Sequence, residues 1–247
     1  MKRTKNIMGM HITLEVVDGY CRKESFDKVF AYFRYVDSKF SPYKKDSEVS
    51  RINRGEIHKK DYSEGMWTIL KLAEKTKRES NGYFDIWRNG VMDPSGIVKG
   101  WAIYNAGRIL DLEGYKNYYI DAGGDIQTRG LNKYLRPWRV GIKNPFNSGE
   151  IVKVINIADG GVATSGTYER GDHIYNPNGH LENHVKSLTV VGSDVYEADR
   201  FATSAFAMGK AGINFIEGKP GLEGYMIGRD GLATFTSGFS RYVISGA

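Results

Sequence analysis

Two incompatible hydrophobic periods stand side by side near the start of this chain. Ile12, Leu14 and Val16 alternate with His11, Thr13 and Glu15, the period of a strand with one buried face. Phe26, Val29, Phe30, Phe33 and Val36 then recur at spacings of three and four, which places them on one face of a helix. No single element satisfies both, so the chain must lay a helix against a sheet from its first forty residues. The spacing predicts that helix over Ser25–Lys39 with Ser25 as N-cap, and a polar loop with a short turn over residues 40–53. Further helices are expected over Trp67–Ser80, with Trp67, Leu70 and Ala73-Glu74 marking its apolar side and Asn81-Gly82 as terminator, over Gly100–Leu112, and over Ala198–Met208 with Phe201, Ala202, Ala205 and Phe206 inward. Tyr118–Ala122, Trp138–Lys143, Val152–Ile157 and Ser187–Val191 are short apolar or alternating runs bounded by turn residues, and so read as strands. Segregated helices with antiparallel strands make this an α+β fold, not a doubly wound parallel sheet.

The chain has 247 residues, 40% hydrophobic and 26% charged, enough for one large domain with a sizeable core. No linker, repeat or low-complexity tract divides it, so residues 1–247 are read as a single domain. Thirty glycines against six prolines point to many tight turns and binding loops. The +6 charge is scattered, with no basic block of the kind that grips nucleic acid. A nucleotide-sized anion is the more economical partner. Cys21 is the only cysteine, which excludes an intramolecular disulfide and a cysteine-held zinc. Met1-Lys-Arg-Thr-Lys-Asn6 has the charge of a leader's first residues, but no apolar stretch follows and no run of 18 apolar residues occurs. The expected location is cytoplasmic as written, with no signal peptide or lipobox, or exported if the chain is a trimmed form.

Chemistry concentrates in a few strings. In Glu197-Ala-Asp-Arg-Phe-Ala-Thr203, helical geometry puts Asp199 and Thr203 on one face as two hard oxygen ligands, which suit Mg²⁺ or Ca²⁺. The plain alternative is a carboxylate at a helix start and a back-bonded threonine. Ser95-Gly-Ile-Val-Lys-Gly100 reads as a glycine-rich segment ahead of a helix that could offer N–H groups to an anion, with Lys99 facing either phosphate or water. Asp121-Ala-Gly-Gly-Asp125 and Ala163-Thr-Ser-Gly-Thr167 follow strands and can wrap a ligand or merely turn. His173, ahead of Asn176-Pro177-Asn178-Gly179, is a loop histidine suited to general-base work. No GxGxxG or P-loop pattern occurs.

Taken together and in order, these strings resemble the FAD:protein FMN transferase (ApbE-like) family in a short form. Met8-Gly9-Met10 is similar to its opening Met-Gly-Thr. Phe40-Ser41-Pro42-Tyr43, Ser47-Glu48 and Asn53 match its Phe-Ser-x-Tyr…Ser-Glu…Asn block, and Gly82-Tyr-Phe-Asp85 its Gly-x-Phe-Asp. Ser95 to Trp101 corresponds to Gly-Gly-Ile-Ala-Lys-Gly-Tyr, and the Gly-Gly-Asp, Thr-Ser-Gly, His-Ile-x-x-Pro and Ala-Asp-x-x-Ala-Thr strings all have counterparts. The resemblance runs from about Met8 to Phe239.

The resemblance implies two closely packed, T-fold-like lobes with the ligand between them. It also implies Mg²⁺-dependent transfer of the FMN part of FAD to a Thr or Ser hydroxyl of an acceptor protein, with release of AMP. On that basis Asp199 and Thr203 would bind Mg²⁺ (Mn²⁺ is the other candidate) by side chain and Val98 by its carbonyl. Met8, Tyr43, Tyr83, Phe84, Asp85, Ser95 and Trp101 would contact FAD, and His173 would take the acceptor's proton. The alternatives are an Mg²⁺-dependent FAD pyrophosphatase giving FMN and AMP, and a non-catalytic FAD-binding protein. Three departures stand out: Met10, Ser95 and Val98 replace the family's Thr, Gly and Ala. Only eight positions separate Asp85 from Asp93, where long members carry an insertion, so the FAD clasp is abbreviated.

Overall fold

The computed structural model describes residues 1–147, 149–166 and 184–243. Strands β1 (Lys2–Ile7) and β2 (Met10–Val16) form a hairpin closed by Met8 and Gly9, both at positive φ (59° and 71°), the two-residue turn that suits twisted antiparallel strands. The charged first residues are therefore an edge strand, and Lys2, Arg3 and Lys5 blunt that edge against pairing with other chains. Helix α1 (Lys23–Phe40) buries the expected stripe of Phe26, Val29, Phe30, Phe33 and Val36, together with Phe40. Its N-cap is Arg22, not Ser25. Ser25 lies inside the first turn, buried, with its hydroxyl 3.0 Å from the Tyr115 hydroxyl.

Part of the segment expected as a loop is helix α2 (Glu48–Asn53), whose Ser47 cap accepts the Ser50 N–H at 3.0 Å. Helix α3 (Glu64–Glu79) starts at a Ser63 cap and buries Met66, Ile69, Ala73 and Thr76. Trp67 and Leu70 are only half-buried: the inward face is rotated by about one residue from the sequence reading. Asn81 and Gly82 adopt positive φ, and the Gly82 N–H returns to the Lys77 carbonyl at 2.8 Å, ending the helix as expected. A small hairpin of β3 (Trp87–Arg88) and β4 (Val91–Met92) follows, pinned where Asn53 exchanges two hydrogen bonds with the Met92 backbone (2.8 and 2.9 Å).

Helix α4 (Ser95–Leu112) begins five residues before the expected Gly100, so the Ser95–Gly100 string is itself helical. β5 (Tyr118–Ala122) and β6 (Asp125–Arg129) turn at Gly123-Gly124. β7 (Trp138–Lys143) and β8 (Ile151–Ile157) form a separate two-stranded sheet, before β9 (Gly160–Gly166) and β10 (Val185–Gly192). Helices α5 (Val195–Ala207) and α6 (Gly212–Glu217) precede β11 (Glu223–Gly228) and β12 (Ala233–Phe235).

The main sheet has eight strands in the order β1-β2-β5-β6-β9-β10-β11-β12, every pair antiparallel. One hydrophobic cluster joins α1, α3 and α4 to β2 and β5, and a second joins α5 and α6 to β9, β10 and β11. A third packs β7 and β8 against Ile126, Tyr225 and Phe239. The fold is α+β, as the segregated periods require. Among the described residues no helix is long and apolar enough to cross a membrane. Phe33, fully buried in the first cluster, gives a direct test of the α1 stripe: Phe33→Ala should lose about 3–5 kcal/mol in urea unfolding, the range for emptying a buried aromatic site.

Candidate active site

Helices α4 and α5 lie against one another, and the closest point of that contact is chemically loaded. A Cβ added to Gly100 would fall 2.7 Å from the Asp199 Cβ and 3.0 Å from the Val195 carbonyl, so glycine is what lets the two backbones approach. Across this contact the Gly100 N–H donates to Asp199 Oδ2 at 2.8 Å. Asp199 is 3% exposed. One residue before Gly100, the Lys99 ammonium sits 2.6 Å from Asp125 Oδ2 and 3.9 Å from Asp199 Oδ1. Asp125, 1% exposed at the start of β6, also accepts the Thr164 N–H of β9 at 3.2 Å.

One helical turn along α5, the Thr203 hydroxyl lies 3.4 Å from the Ser165 hydroxyl of β9. Thr164 in turn meets Thr189 of β10 at 2.8 Å. The strings at 95–100, 121–125, 163–166 and 197–203 thus converge, from two helices and three strands, on one cluster of hard oxygens around the Lys99 ammonium. Lys99, expected to face phosphate or water, turns inward with its side chain 17% exposed and joins two buried carboxylates. Burial pushes the Asp199 carboxyl up to about 7, Lys99 opposing that rise and Asp125 adding to it. Burial likewise raises Asp121, whose Oδ1 accepts the Gly124 N–H at 2.9 Å and so shapes the glycine turn.

The donor set fits a hard divalent cation of the Mg²⁺ kind. Asp199 Oδ2 accepts from Gly100, its carboxyl also lies within hydrogen-bond reach of the Asp125 carboxyl, Oδ1 is 3.9 Å from the Lys99 ammonium, and Thr203 has only a long contact to Ser165. Among the described residues no group of three or more His, Cys, Asp or Glu gathers as a full cage. One carboxylate and one hydroxyl suit a cation that completes its shell with water and substrate phosphate. Val98 is 3% exposed and helical; its carbonyl, in the α4 ladder, would serve a cation through its second lone pair.

The residues expected to contact FAD fall in several places. Phe84 is a core side chain, 4% exposed, and it packs over Gly96, whose notional Cβ would lie 3.2 Å from the Phe84 ring and 3.4 Å from Thr203 Cγ2. Tyr83 and Asp85 flank it, half-buried, with Asp85 paired to Lys77 at 2.6 Å. Ser95 opens α4, its hydroxyl donating to Asp93 at 2.5 Å. Trp101 packs edge-on against Phe40, with ring centroids 5.7 Å apart. Met8 occupies the β1–β2 turn, and Tyr43 is 85% exposed in the loop after α1. His173 and Thr167 lie outside the described residues. Asp125 and Ser165 belong to strings that gave them no assigned role; the pairing of buried Asp125 with Lys99 is a property of contacts, not of spacing.

A model of the ApbE family matches residues 8–93 and 87–226. The chain belongs to the ApbE family. It is 30% identical over 151 residues to a protein of Escherichia coli K12 named FAD:protein FMN transferase, a match covering 57% of this chain and 43% of that one. The chain thus spans less than half the length of that curated relative. To the Haemophilus influenzae protein of the same name it is 25% identical over 271 residues, covering 83% and 78%. The ApbE protein of Thermotoga maritima superposes with a TM-score of 0.86 at 22% identity over 99% of both chains. The Vibrio cholerae flavin transferase ApbE gives 0.83 at 23% over 98% and 99%. At such identities the superpositions establish the fold.

Because the folded chain holds the Asp199 proton more tightly than the unfolded one, this group's contribution to stability is full below about pH 4 and is lost as pH rises through about 7. Asp199→Asn keeps an oxygen for the Gly100 N–H and leaves Lys99 paired with Asp125. Its melting temperature should therefore equal or exceed that of the unchanged protein at pH 8, with the difference vanishing near pH 4. A variant less stable at pH 8 than at pH 4, relative to the unchanged chain, would contradict the burial argument.

Proposed function

We propose that this chain moves the FMN part of FAD onto a threonine or serine hydroxyl of an acceptor protein, releasing AMP, with a Mg²⁺ ion held by Asp199, Thr203 and the Val98 carbonyl. The observation that carries the reading is the crossing of α4 and α5, which sets a half-filled hard-oxygen site against the glycine-bearing first turns of a helix. Family membership and the activity for which the relatives are named support it.

A pyrophosphate resists attack because its charge repels nucleophiles. A hard cation held by Asp199, Thr203 and the Val98 carbonyl would supply neutralisation of the phosphoryl oxygens and of the departing AMP phosphate. The chain's own groups do the rest. Asp199, kept from full solvation, offers a carboxylate whose charge is poorly compensated until a cation arrives. Lys99 and Asp125 hold α4 and β6 at fixed spacing beside it, and Thr203 supplies a neutral oxygen without adding charge. The first turn of α4 is not an open anion cradle, because its Ser95 N–H donates to Asp93 Oδ1 and its Ile97 and Val98 N–H groups to the Pro94 carbonyl. His173 takes the proton as the acceptor oxygen forms its bond to the FMN phosphorus and the bond to the AMP oxygen breaks, a contribution of about 10²–10⁴-fold. Tyr83 and Trp101 offer ring faces to the flavin or adenine, each pairing adding roughly 0.5–1.5 kcal/mol.

The test mixes purified protein, FAD, Mg²⁺ and an unmodified acceptor domain that carries the target threonine of a flavinylated protein, reading AMP by chromatography and protein-bound flavin by in-gel fluorescence. The expected result is AMP with a fluorescent acceptor. Asp199→Ala and His173→Ala should each lower turnover at least about 10²-fold while the fold persists. AMP with free FMN only, under the same conditions, would assign the site to FAD hydrolysis. Intact FAD would leave it a carrier.

A further inference from the structure

Arg200 follows Asp199 directly and occupies one of the unspecified positions of the Ala-Asp-x-x-Ala-Thr string, yet it is 3% exposed. Its guanidinium joins two carboxylates. One is Glu197 on its own helix at 2.5 Å, and the other is Glu79, the last residue of α3. The guanidinium lies 3.9 Å from the Phe201 ring centroid and 5.4 Å from that of Tyr196, so it is stacked as well as paired, which fixes its plane. The Glu79 carbonyl is held too, by the Lys219 ammonium at 2.9 Å, itself seated over Phe215 and Phe201.

What hangs from the end of α3 gives this contact its meaning. The hydroxyl of Ser80, the next residue, accepts the Phe84 N–H at 3.0 Å, and Lys77 pairs with Asp85 at 2.6 Å. The last turn of α3 therefore registers the Tyr83-Phe84-Asp85 segment, while Arg200 registers that same turn to α5, the helix carrying Asp199 and Thr203. We propose that Arg200 is a positioning residue that sets the spacing between the flavin-contact segment at 83–85 and the metal-and-phosphate site on α5, so that one dinucleotide spans both. This rests on the FAD reading above.

The mechanism predicts a particular split. A ligand that touches both halves gains from their fixed spacing, because the second contact is made at high effective concentration. A ligand touching only one half gains nothing. Removing Arg200 should weaken the whole and spare the parts. Glu79 and Glu197 keep 36% and 27% of their side chains exposed, so water can take over their charges when the guanidinium is gone.

Arg200→Met, Glu79→Gln and the double variant would be compared with the unchanged protein, in the presence of Mg²⁺, for binding of FAD, riboflavin and ADP by calorimetry, and for the KM and kcat of FMN transfer. Arg200→Met should raise the FAD dissociation constant and KM about tenfold while riboflavin and ADP affinities and kcat stay within about threefold. Glu79→Gln should show a smaller effect in the same direction, and the double variant should be no worse than Arg200→Met, the sign that both act through one contact. FAD affinity unchanged in a folded Arg200→Met protein would overturn the inference, as would equal weakening of FAD and both fragments, which is what general loosening produces. If the unchanged protein fails to bind FAD, the functional reading itself falls, and the inference with it.

Discussion

The hydrogen bond from the Gly100 N–H to the buried carboxylate of Asp199 is the interaction around which the rest is arranged. It requires α4 and α5 to approach so closely that no side chain fits at position 100. That approach places Lys99 between Asp199 and Asp125, ties β6 and β9 to the helices through the Asp125 carboxylate, and brings Thr203 to Ser165. Stability and function pull in opposite directions here. The buried Asp199 and Asp125 carboxylates beside Lys99 are costly to keep ionised together, and the hard cation proposed for this site would relieve that cost.

The surrounding architecture supplies the rigidity that such a cluster needs. The aromatic stripe of α1 closes one side of α4, while α5 rests on β9 and β10 through Ala198, Ala202 and Ala205. Small residues on that face of α5 allow close seating, as Gly100 does on α4. A site assembled from two helices and three strands has few ways to drift. The segment at 83–85 is held from another direction, by the last turn of α3, and Arg200 joins the two.

The sequence was most legible where burial is decided locally. Tyr118–Ala122 and Trp138–Lys143 are strands over those same residues, and the α1 stripe is buried as its spacing implies. Legibility failed where a distant partner overrides a local rule. Ser25 has the side chain of a cap but spends its hydroxyl on Tyr115, ninety residues away. Gly96 read as part of a loop ahead of a helix starting at Gly100, yet it is helical too, because the missing side chains at 96 and 100 make room for Phe84 and Asp199 and not for a turn. The charged opening residues became an edge strand, where charge serves against aggregation. Asp199 and Thr203 were legible as a same-face pair from helical spacing alone; the joining of Lys99 to Asp125 and of Arg200 to Glu79 was not, since nothing in a linear spacing reports contacts between elements 26 and 121 residues apart.

The central claim is that the α4–α5 crossing is a divalent-cation site. The most direct measurement is anomalous diffraction from crystals of the protein grown with FAD and Mn²⁺. The account predicts one anomalous peak at coordination distance from Asp199 Oδ1, Thr203 Oγ1 and the Val98 carbonyl, with Lys99 still on Asp125. A peak held by other residues, or FAD bound with no metal at Asp199, would contradict it.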